Sequence, residues 1–324
     1  MGIGIQQASV HFPAGSNQIR QKMCPVRREH STPIKFDKLQ LYLEGYPARS
    51  KQYLLDGFSF SFSIDYVGPC QNFSSKNLIS AITNPTAVDA KLDKEIDLGR
   101  IVGPRPFSVF LIPKKLPGEF RLIHHLSFPE GHSINSHIPK IACSVHYANI
   151  DDAIRLVTRA GRGCALAKTD IKNAFRLIPV SPSDYNLLGI CWRDKFYVDR
   201  NLAMGLSSSC KIFESFSSAL EWIVRVKLNI AGILHLLDDF LIVSRSLSSR
   251  ENNLRAFLQT CDDIGVPMAP EKTVGPSFVL SFAGIELDTI KMEARLLEDK
   301  LTKCRSLIRE FLTKKKVTLT ELQS

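Results

Sequence analysis

The sequence predicts an α+β fold of antiparallel hairpins packed on amphipathic helices, and three stretches carry that prediction. The first is Ile233-Leu234-His235-Leu236-Leu237-Asp238-Asp239-Phe240-Leu241-Ile242-Val243, two apolar arms around an Asp-Asp step, which reads as a β-hairpin with the acids at its turn. The second runs from Asn84-Pro85 through Thr86 to Leu98 and Gly99, a cap, a first-turn proline and a glycine stop around a helix. The third is the pair Phe107 to Ile112 and Glu119 to His124, two strands joined by Pro113-Lys114-Lys115-Leu116-Pro117-Gly118, a hairpin with lysines at its tip.

The remaining elements follow in order. Residues 1–34 are polar, broken by Pro13, Gly15, Pro25 and Pro33 and without periodicity, so they read as a flexible leader. Phe36 to Leu43 is expected as a short helix ending at Gly45. Gly57 to Ile64 alternates strictly, which predicts a half-buried strand with Phe58, Phe60, Phe62 and Ile64 on one face. A short apolar strand leads into Asp170. Strands are expected around Leu187 to Trp192 and Phe196 to Val198, with Arg193-Asp194-Lys195 as their turn. Met204-Gly205-Leu206-Ser207-Ser208-Ser209 opens a helix with Ile212, Phe213, Phe216 and Leu220 on its apolar face. Glu251 to Ile264 is an amphipathic helix ending at Gly265. Leu301, Cys304, Leu307, Ile308, Phe311 and Leu312 recur at helical spacing. Thr318-Leu319-Thr320-Glu321 is a capping-box signature that announces one more helix, which reads as a product cut short.

Composition bounds the function. The 324 residues are 44% hydrophobic and 23% charged, ample for a sizeable core in one large or two coupled domains. No run reaches the roughly 20 apolar residues of a membrane helix. The N-terminus lacks a signal-peptide plan, and Gln6 stands where myristoylation needs Ser or Thr, so an intracellular chain without a membrane partner is expected. Asn72-Phe73-Ser74 is then a chance glycosylation sequon. The formal charge of +10 favours a polyanionic partner, which a nucleic acid, a ribosome or an anionic lipid would each satisfy. The eight cysteines are scattered without a Cys-x-x-Cys pair, which fits reduced thiols, and His124, His125, His132 and His137 lack cysteine partners, so no zinc is expected.

Two adjacent carboxylates between strands that must be buried cost several kcal/mol each when unpaired, and a divalent cation removes that cost. An exposed acidic turn is the alternative. Asp170, in Ala165-Leu166-Ala167-Lys168-Thr169-Asp170, sits at another strand's end, so two strand tips can gather Asp170, Asp238 and Asp239 around one site. Hard oxygen ligands on rigid elements suit Mg²⁺, and two such ions roughly 3.5 to 4 Å apart form the two-metal arrangement of polymerases and nucleases.

The order Asp170-Ile171-Lys172-Asn173-Ala174-Phe175, Met204-Gly205-Leu206-Ser207-Ser208 and Leu236-Leu237-Asp238-Asp239 resembles the palm motifs of retroelement reverse transcriptases. Upstream, Phe120-Arg121-Leu122-Ile123-His124-His125-Leu126-Ser127-Phe128-Pro129-Glu130-Gly131 resembles the fingers of the tyrosine-recombinase (DIRS-like) retrotransposons. The resemblance runs from about residue 35 to the end. It implies a right-hand α+β fold, an antiparallel palm sheet packed on helices. Residues 35–99 would be an N-terminal helix-and-strand extension, 100–163 fingers, 164–290 palm, and 291–324 a thumb or connection truncated at its start.

The implied reaction is RNA-directed DNA synthesis, adding dNTPs to a primer 3′-hydroxyl on an RNA or DNA template. Asp170 and Asp238 would be the main ligands of two Mg²⁺ ions, with Mn²⁺ as a substitute, and Asp239 a weaker one. Arg121 and Lys115 would hold the triphosphate, an Arg fork gripping its oxygens in pairs and a Lys acting as a point charge; Lys114 competes for the second place. Phe175 matches the aromatic that excludes the 2′-hydroxyl, which implies DNA as the product. Met204 and Gly205 would line the nucleotide pocket, Gly205 allowing close backbone approach. Lys272 matches a lysine that protonates pyrophosphate, a task that calls for a lowered pKa. Phe278 to Phe282 and Gly284 to Leu287 resemble the strand pair that grips the primer terminus, with Phe282 and Gly284 in the primer grip. Met204 and Leu236 depart from the family pattern, which has Gln or Phe and an aromatic at these positions. A non-catalytic remnant that only binds nucleic acid, or an unrelated Mg²⁺-dependent phosphatase or nuclease, would carry the same acids; the latter gives Phe175 and the basic hairpin no role.

Overall fold

The fold was obtained as a computed structural model, in which residues 32–69, 77–103, 109–113, 120–245, 247–314 and 316–319 are described. The leader expected over 1–34 lies almost wholly outside them, as do Lys115 and the tip of its hairpin. Two helices open the described chain, α1 (Phe36–Tyr42), followed by Gly45 at φ +86, and α2 (Ala48–Phe60). Here the strand expected over Gly57 to Ile64 is overturned, because Gly57 to Phe60 form the last turn of α2. Tertiary burial decides the matter. Leu54, Leu55 and Phe58 bury at helical spacing while Phe60 stays 42% exposed. The chain leaves the helix at Ser61 (φ 79), and only Phe62 and Ile64 of the alternating set return to the core from extended backbone.

α3 (Ile79–Ile82) leads into α4 (Pro85–Asp97), which starts at its proline and is followed by Gly99 at φ 66, as expected. Asn84 does not cap with its side chain; its amide donates back to Ser80 O at 2.9 Å. β1 (Ile101–Val102) follows, then β2 (Val109–Pro113) paired antiparallel with β3 (Phe120–His124), and α5 (Lys140–Cys143). α6 (Ile150–Ala160) opens on a reciprocal capping box between Asn149 and Asp152.

The centre is a four-stranded antiparallel sheet of β4 (Ala165–Asp170), β7 (Ile233–Leu236), β8 (Asp239–Ser244) and β9 (Val274–Ser277), in the order β7-β8-β4-β9. The unbroken apolar run of β8 is explained by burial on both faces. Phe240 and Ile242 enter a core with Leu39, Leu54, Phe213, Phe216 and Phe257, while Leu241 and Val243 enter another with Ala153, Val157, Leu280, Phe282 and Leu287. Strand alternation thus feeds two cores from one segment. α7 (Ser209–Trp222) and α8 (Leu247–Ile264) supply the first core; α6 and the sheet β10-β11-β12 (Val279–Phe282, Ile285–Asp288, Glu293–Leu296) supply the second. Ile212, Phe213, Phe216 and Leu220 of α7 are buried, as their spacing predicts, and α8 starts four residues before Glu251 (247 against 251).

β5 (Gly189–Trp192) and β6 (Lys195–Asp199) pair around the left-handed residues Arg193 and Asp194, and β6 also carries β1. α9 (Glu298–Thr313) follows β12. The helix forms, yet none of its apolar stripe is buried. Residues 320–324, where the second capping-box half falls, are outside the described set.

Candidate active site

β4 and β8 pair in a register that places Asp170 directly opposite Asp239. The turn from β7 is two residues long, Leu237 and Asp238, because Leu236 pairs with Asp239. Leu237 takes φ 55, a conformation that glycine normally supplies in so short a hairpin. Asp238 is locked to the neighbouring strand end by its carbonyl, which accepts from Ile171 N at 3.0 Å. Two strand tips therefore bring the three expected carboxylates together. The side chain of Asp170 is 7% exposed. Burial, with the charges of Asp170 and Asp238 behind it, pushes the Asp239 carboxyl up to about 6.

A fourth group completes the cluster. The segment after α8 returns beside β4, with Ala269 N donating to Asp170 O at 2.9 Å, and from it Lys272 Nζ reaches Asp170 Oδ2 at 2.7 Å. The lowered pKa that its expected proton-donor role calls for is not found. Burial alone would depress the ammonium, but the hydrogen bond and charge of Asp170, aided by Asp238 and Asp239, hold it above its ordinary value. In this arrangement no group of three His, Cys, Asp or Glu side chains among the described residues is placed to hold a metal ion. The donor chemistry still suits a hard cation, since hard carboxylate oxygens stand opposed at the strand tips and an ammonium already sits on one of them.

Phe175 lies in the 3₁₀ turn Ala174–Leu177 that follows Asp170, half-buried, its ring edge-on to Phe213 at 5.6 Å between centroids. Met204 O accepts from His124 N at 2.9 Å, which joins β3 to the loop before α7. Gly205, exposed at φ +102, has a steric reason to be glycine: a Cβ there would stand 2.1 Å from His124 O. Asn135 clamps the same loop, donating to Gly205 O at 2.8 Å and accepting from Ser207 N at 2.9 Å. Arg121 is placed in β3 opposite Ile112, its side chain outside the described set. The Phe282 ring is buried in the second core, so the exposed part of the β10-β11 turn is Ala283 (φ 48), next to Gly284 (φ 81).

Sequence reasoning missed two buried polar clusters. His235 on β7 is held between Glu214 and Glu221 of α7, with Nε2 at 3.0 Å from Glu214 Oε1 and Nδ1 against Glu221 Oε2. Burial would lower the imidazole, yet the two carboxylates override it and raise it to about 9. Arg176, Asp199, Glu95, Arg100 and His124 form the second. The available signal was a charged or polar residue inside an apolar run, as in Ala174-Phe175-Arg176-Leu177-Ile178.

Comparison with known proteins bears on the family and the fold. Residues 112–308 match the family described as reverse transcriptase (RNA-dependent DNA polymerase). Among solved structures, a foamy viral protease-reverse transcriptase designated dRH, in complex with double-stranded DNA, superposes at TM-score 0.64 with 15% identity over 93% of this chain and 53% of that one. The foamy viral enzyme with double-stranded DNA gives 0.61, 16%, 90% and 60%, and with an RNA/DNA hybrid 0.61, 15%, 89% and 38%. The chain thus spans between about a third and three fifths of these proteins. No curated protein matches it at a significant level. Among the described residues no helix is long and apolar enough to cross a membrane. With its α+β arrangement of mixed helices and antiparallel sheets shared with these structures, the chain belongs to the reverse transcriptase family.

Proposed function

We propose that the chain is the RNA-directed DNA polymerase of a retroelement, of the tyrosine-recombinase (DIRS-like) branch, extending a primer 3′-hydroxyl with dNTPs on an RNA or DNA template. The observation that carries this reading is the opposition of Asp170 and Asp239 across the β4-β8 pair with Asp238 at the adjoining turn. Like charges placed together on rigid strand tips are costly unless a cation is bound there, and they gain their use from that cation. Two Mg²⁺ ions, or Mn²⁺, bound by Asp170 and Asp238 with Asp239 as the weaker ligand, would supply a deprotonated attacking hydroxyl and neutralisation of the pyrophosphate charge.

The chain's own residues do the rest. Arg121 and Lys115 orient the triphosphate. Phe175, half-buried against Phe213, presents its open edge beneath the sugar and rejects a 2′-hydroxyl. Gly205 lets the loop of Met204 lie close to the nucleotide. Lys272 is held protonated by Asp170; a cation bound to the carboxylates would offset the charges that raise it and free the lysine to donate a proton to the leaving pyrophosphate. The backbone of the Ala283-Gly284 turn, seated on the buried Phe282, supports the primer end. Residues 100–163 then serve as fingers and 164–290 as palm.

Primer extension on an RNA template, comparing the chain with Asp170→Asn, tests the reading. Extension with dNTPs alone, lost in the variant, supports it. Salt-dependent template binding without any extension would replace it with a nucleic-acid-binding remnant.

A further inference from the structure

Directly after Phe175, Arg176 turns inward and is 11% exposed. Its Nη1 donates to Asp199 Oδ2 at 2.6 Å and to the carbonyl oxygens of Leu202 and Asn201 at 3.3 and 3.4 Å, and its Nε donates to Glu95 Oε2 at 2.9 Å. In return Asn201 Nδ2 donates to Arg176 O at 3.1 Å. Arg100 Nη1 stands 3.7 Å from Glu95 Oε1, and His124 Nε2 stands 3.3 Å from Asp199 Oδ2. One guanidinium therefore ties together α4, the end of β3, the 3₁₀ turn that carries Phe175, the end of β6 and the loop leading to Met204.

Stability alone does not call for this. Apolar residues of similar volume fill a buried site at least as well as a set of ion pairs, whereas a planar five-donor fork fixes direction. The direction matters because the loop it holds has no slack. Gly205 packs so closely on His124 O that not even a methyl group fits, and His124 N is bonded to Met204 O at 2.9 Å. Arg176 grips both sides of that contact, the Leu202 carbonyl on one and, through Asp199, His124 on the other.

We infer that Arg176 is a positioning residue that sets the spacing between Phe175, the Met204-Gly205 loop and the end of β3, and thereby the choice between deoxy- and ribonucleotides. The inference rests on the reading of this site as a dNTP pocket. It makes Arg176 a determinant of sugar selection that never touches the nucleotide.

The test uses the full chain in two variants, R176K, which keeps the charge but loses the fork, and R176M/D199N, which removes one charge of each sign and leaves Glu95 to Arg100, so that no ion is left buried alone. Amide hydrogen exchange is read at His124 and Leu202, whose acceptors are Met204 O and Ile178 O, against the β4-β8 pair as reference. Exchange at these two amides is expected to rise about 10-fold in both variants with the reference unchanged. In single-nucleotide incorporation the dNTP KM is expected to rise about 10-fold at nearly constant kcat, and the preference for dNTP over rNTP to fall by a similar factor. Unchanged exchange at His124 and Leu202 in folded R176K overturns the inference whatever the activity. Wild-type KM and preference in the double variant would reduce the cluster to a structural role and also overturn it. Absence of incorporation by the unaltered chain would sink the polymerase reading alone, since exchange still decides whether Arg176 holds the loop.

Discussion

Two charged clusters flank the 3₁₀ turn of Phe175, and they are built on opposite plans. The Arg176 cluster balances two guanidinium groups against two carboxylates and is enclosed by protein. There the Asp199 carboxyl, which burial would raise, is instead held below the usual range by Arg176 and His124. The cluster of Asp170, Asp238 and Asp239 sets three carboxylates against Lys272, with the charge of Lys168 as a lesser counterweight, and Asp239 is pushed upward by burial and its neighbours. The first balances its own ionic charges, although Arg176 Nη2 and Arg100 Nη1 are buried without a hydrogen-bond partner. The second is complete only with added positive charge, and Lys272 supplies part of it. A folded protein retains such an imbalance where binding or chemistry needs it, and a substitution should therefore have opposite consequences in the two places.

The largest expected effect is on turnover. Asp238→Asn should lower the rate of nucleotide addition by about 10³-fold or more, about 4 kcal/mol of transition-state stabilisation, with template binding nearly unchanged. Primer extension beside a filter-binding assay measures both, and an unaltered rate would remove Asp238 from the site. Next in size, Asp199→Asn takes from Arg176 the more deeply buried of its two carboxylate partners, leaving only Glu95, and should destabilise the fold by about 3–5 kcal/mol in urea unfolding. A loss below about 1 kcal/mol would show that the two clusters are not built on different plans.

His235 gives a pH-dependent effect of roughly 3 kcal/mol, from a folded value near 9 against an ordinary 6.5. Because the folded value is the higher one, this stabilisation is present in full below about pH 6.5 and is lost as pH rises through 9. Unfolding at pH 7 and pH 10 should show the fall, and His235→Gln should abolish its pH dependence. The smallest effect has the opposite sign. Asp239→Asn removes a crowded charge and should stabilise the metal-free chain by about 1–2 kcal/mol while weakening its response to Mg²⁺. Thermal melting with and without Mg²⁺ decides this, and a destabilised variant would mean that Asp239 is held by partners rather than strained by neighbours.

The carboxylate cluster was legible in the sequence because its parts are local. An Asp-Asp step between apolar arms fixes a hairpin turn, and an Asp closing an apolar strand fixes a strand tip. The pairing of β4 with β8 then had one register that buried both faces of β8. Glycine stops, the proline at the start of α4 and the apolar face of α7 were equally local, and each stands where the sequence puts it. Gly57 to Ile64 was misread for the complementary reason. Phe-Ser alternation satisfies a strand pattern, but Leu54, Leu55 and Phe58 gain more by burying one helical face against α7. That choice depends on a partner more than a hundred residues away, which no local pattern contains.

The same distance hides the Arg176 cluster and the His235 clamp. Single charged or polar residues in apolar runs announce that something buried must pair with them, without saying what. Asp199, Glu95 and His124 meet Arg176 only because separate segments converge on one turn, and Lys272 meets Asp170 only because the chain after α8 returns beside β4. Composition, periodicity and short motifs determined most of the secondary elements, the family and the placing of the three acids at strand tips, since each of these is settled within a few residues. The tertiary structure alone decided which charges neutralise one another, because Coulomb and hydrogen-bond energies are set by distances across the fold rather than along the chain.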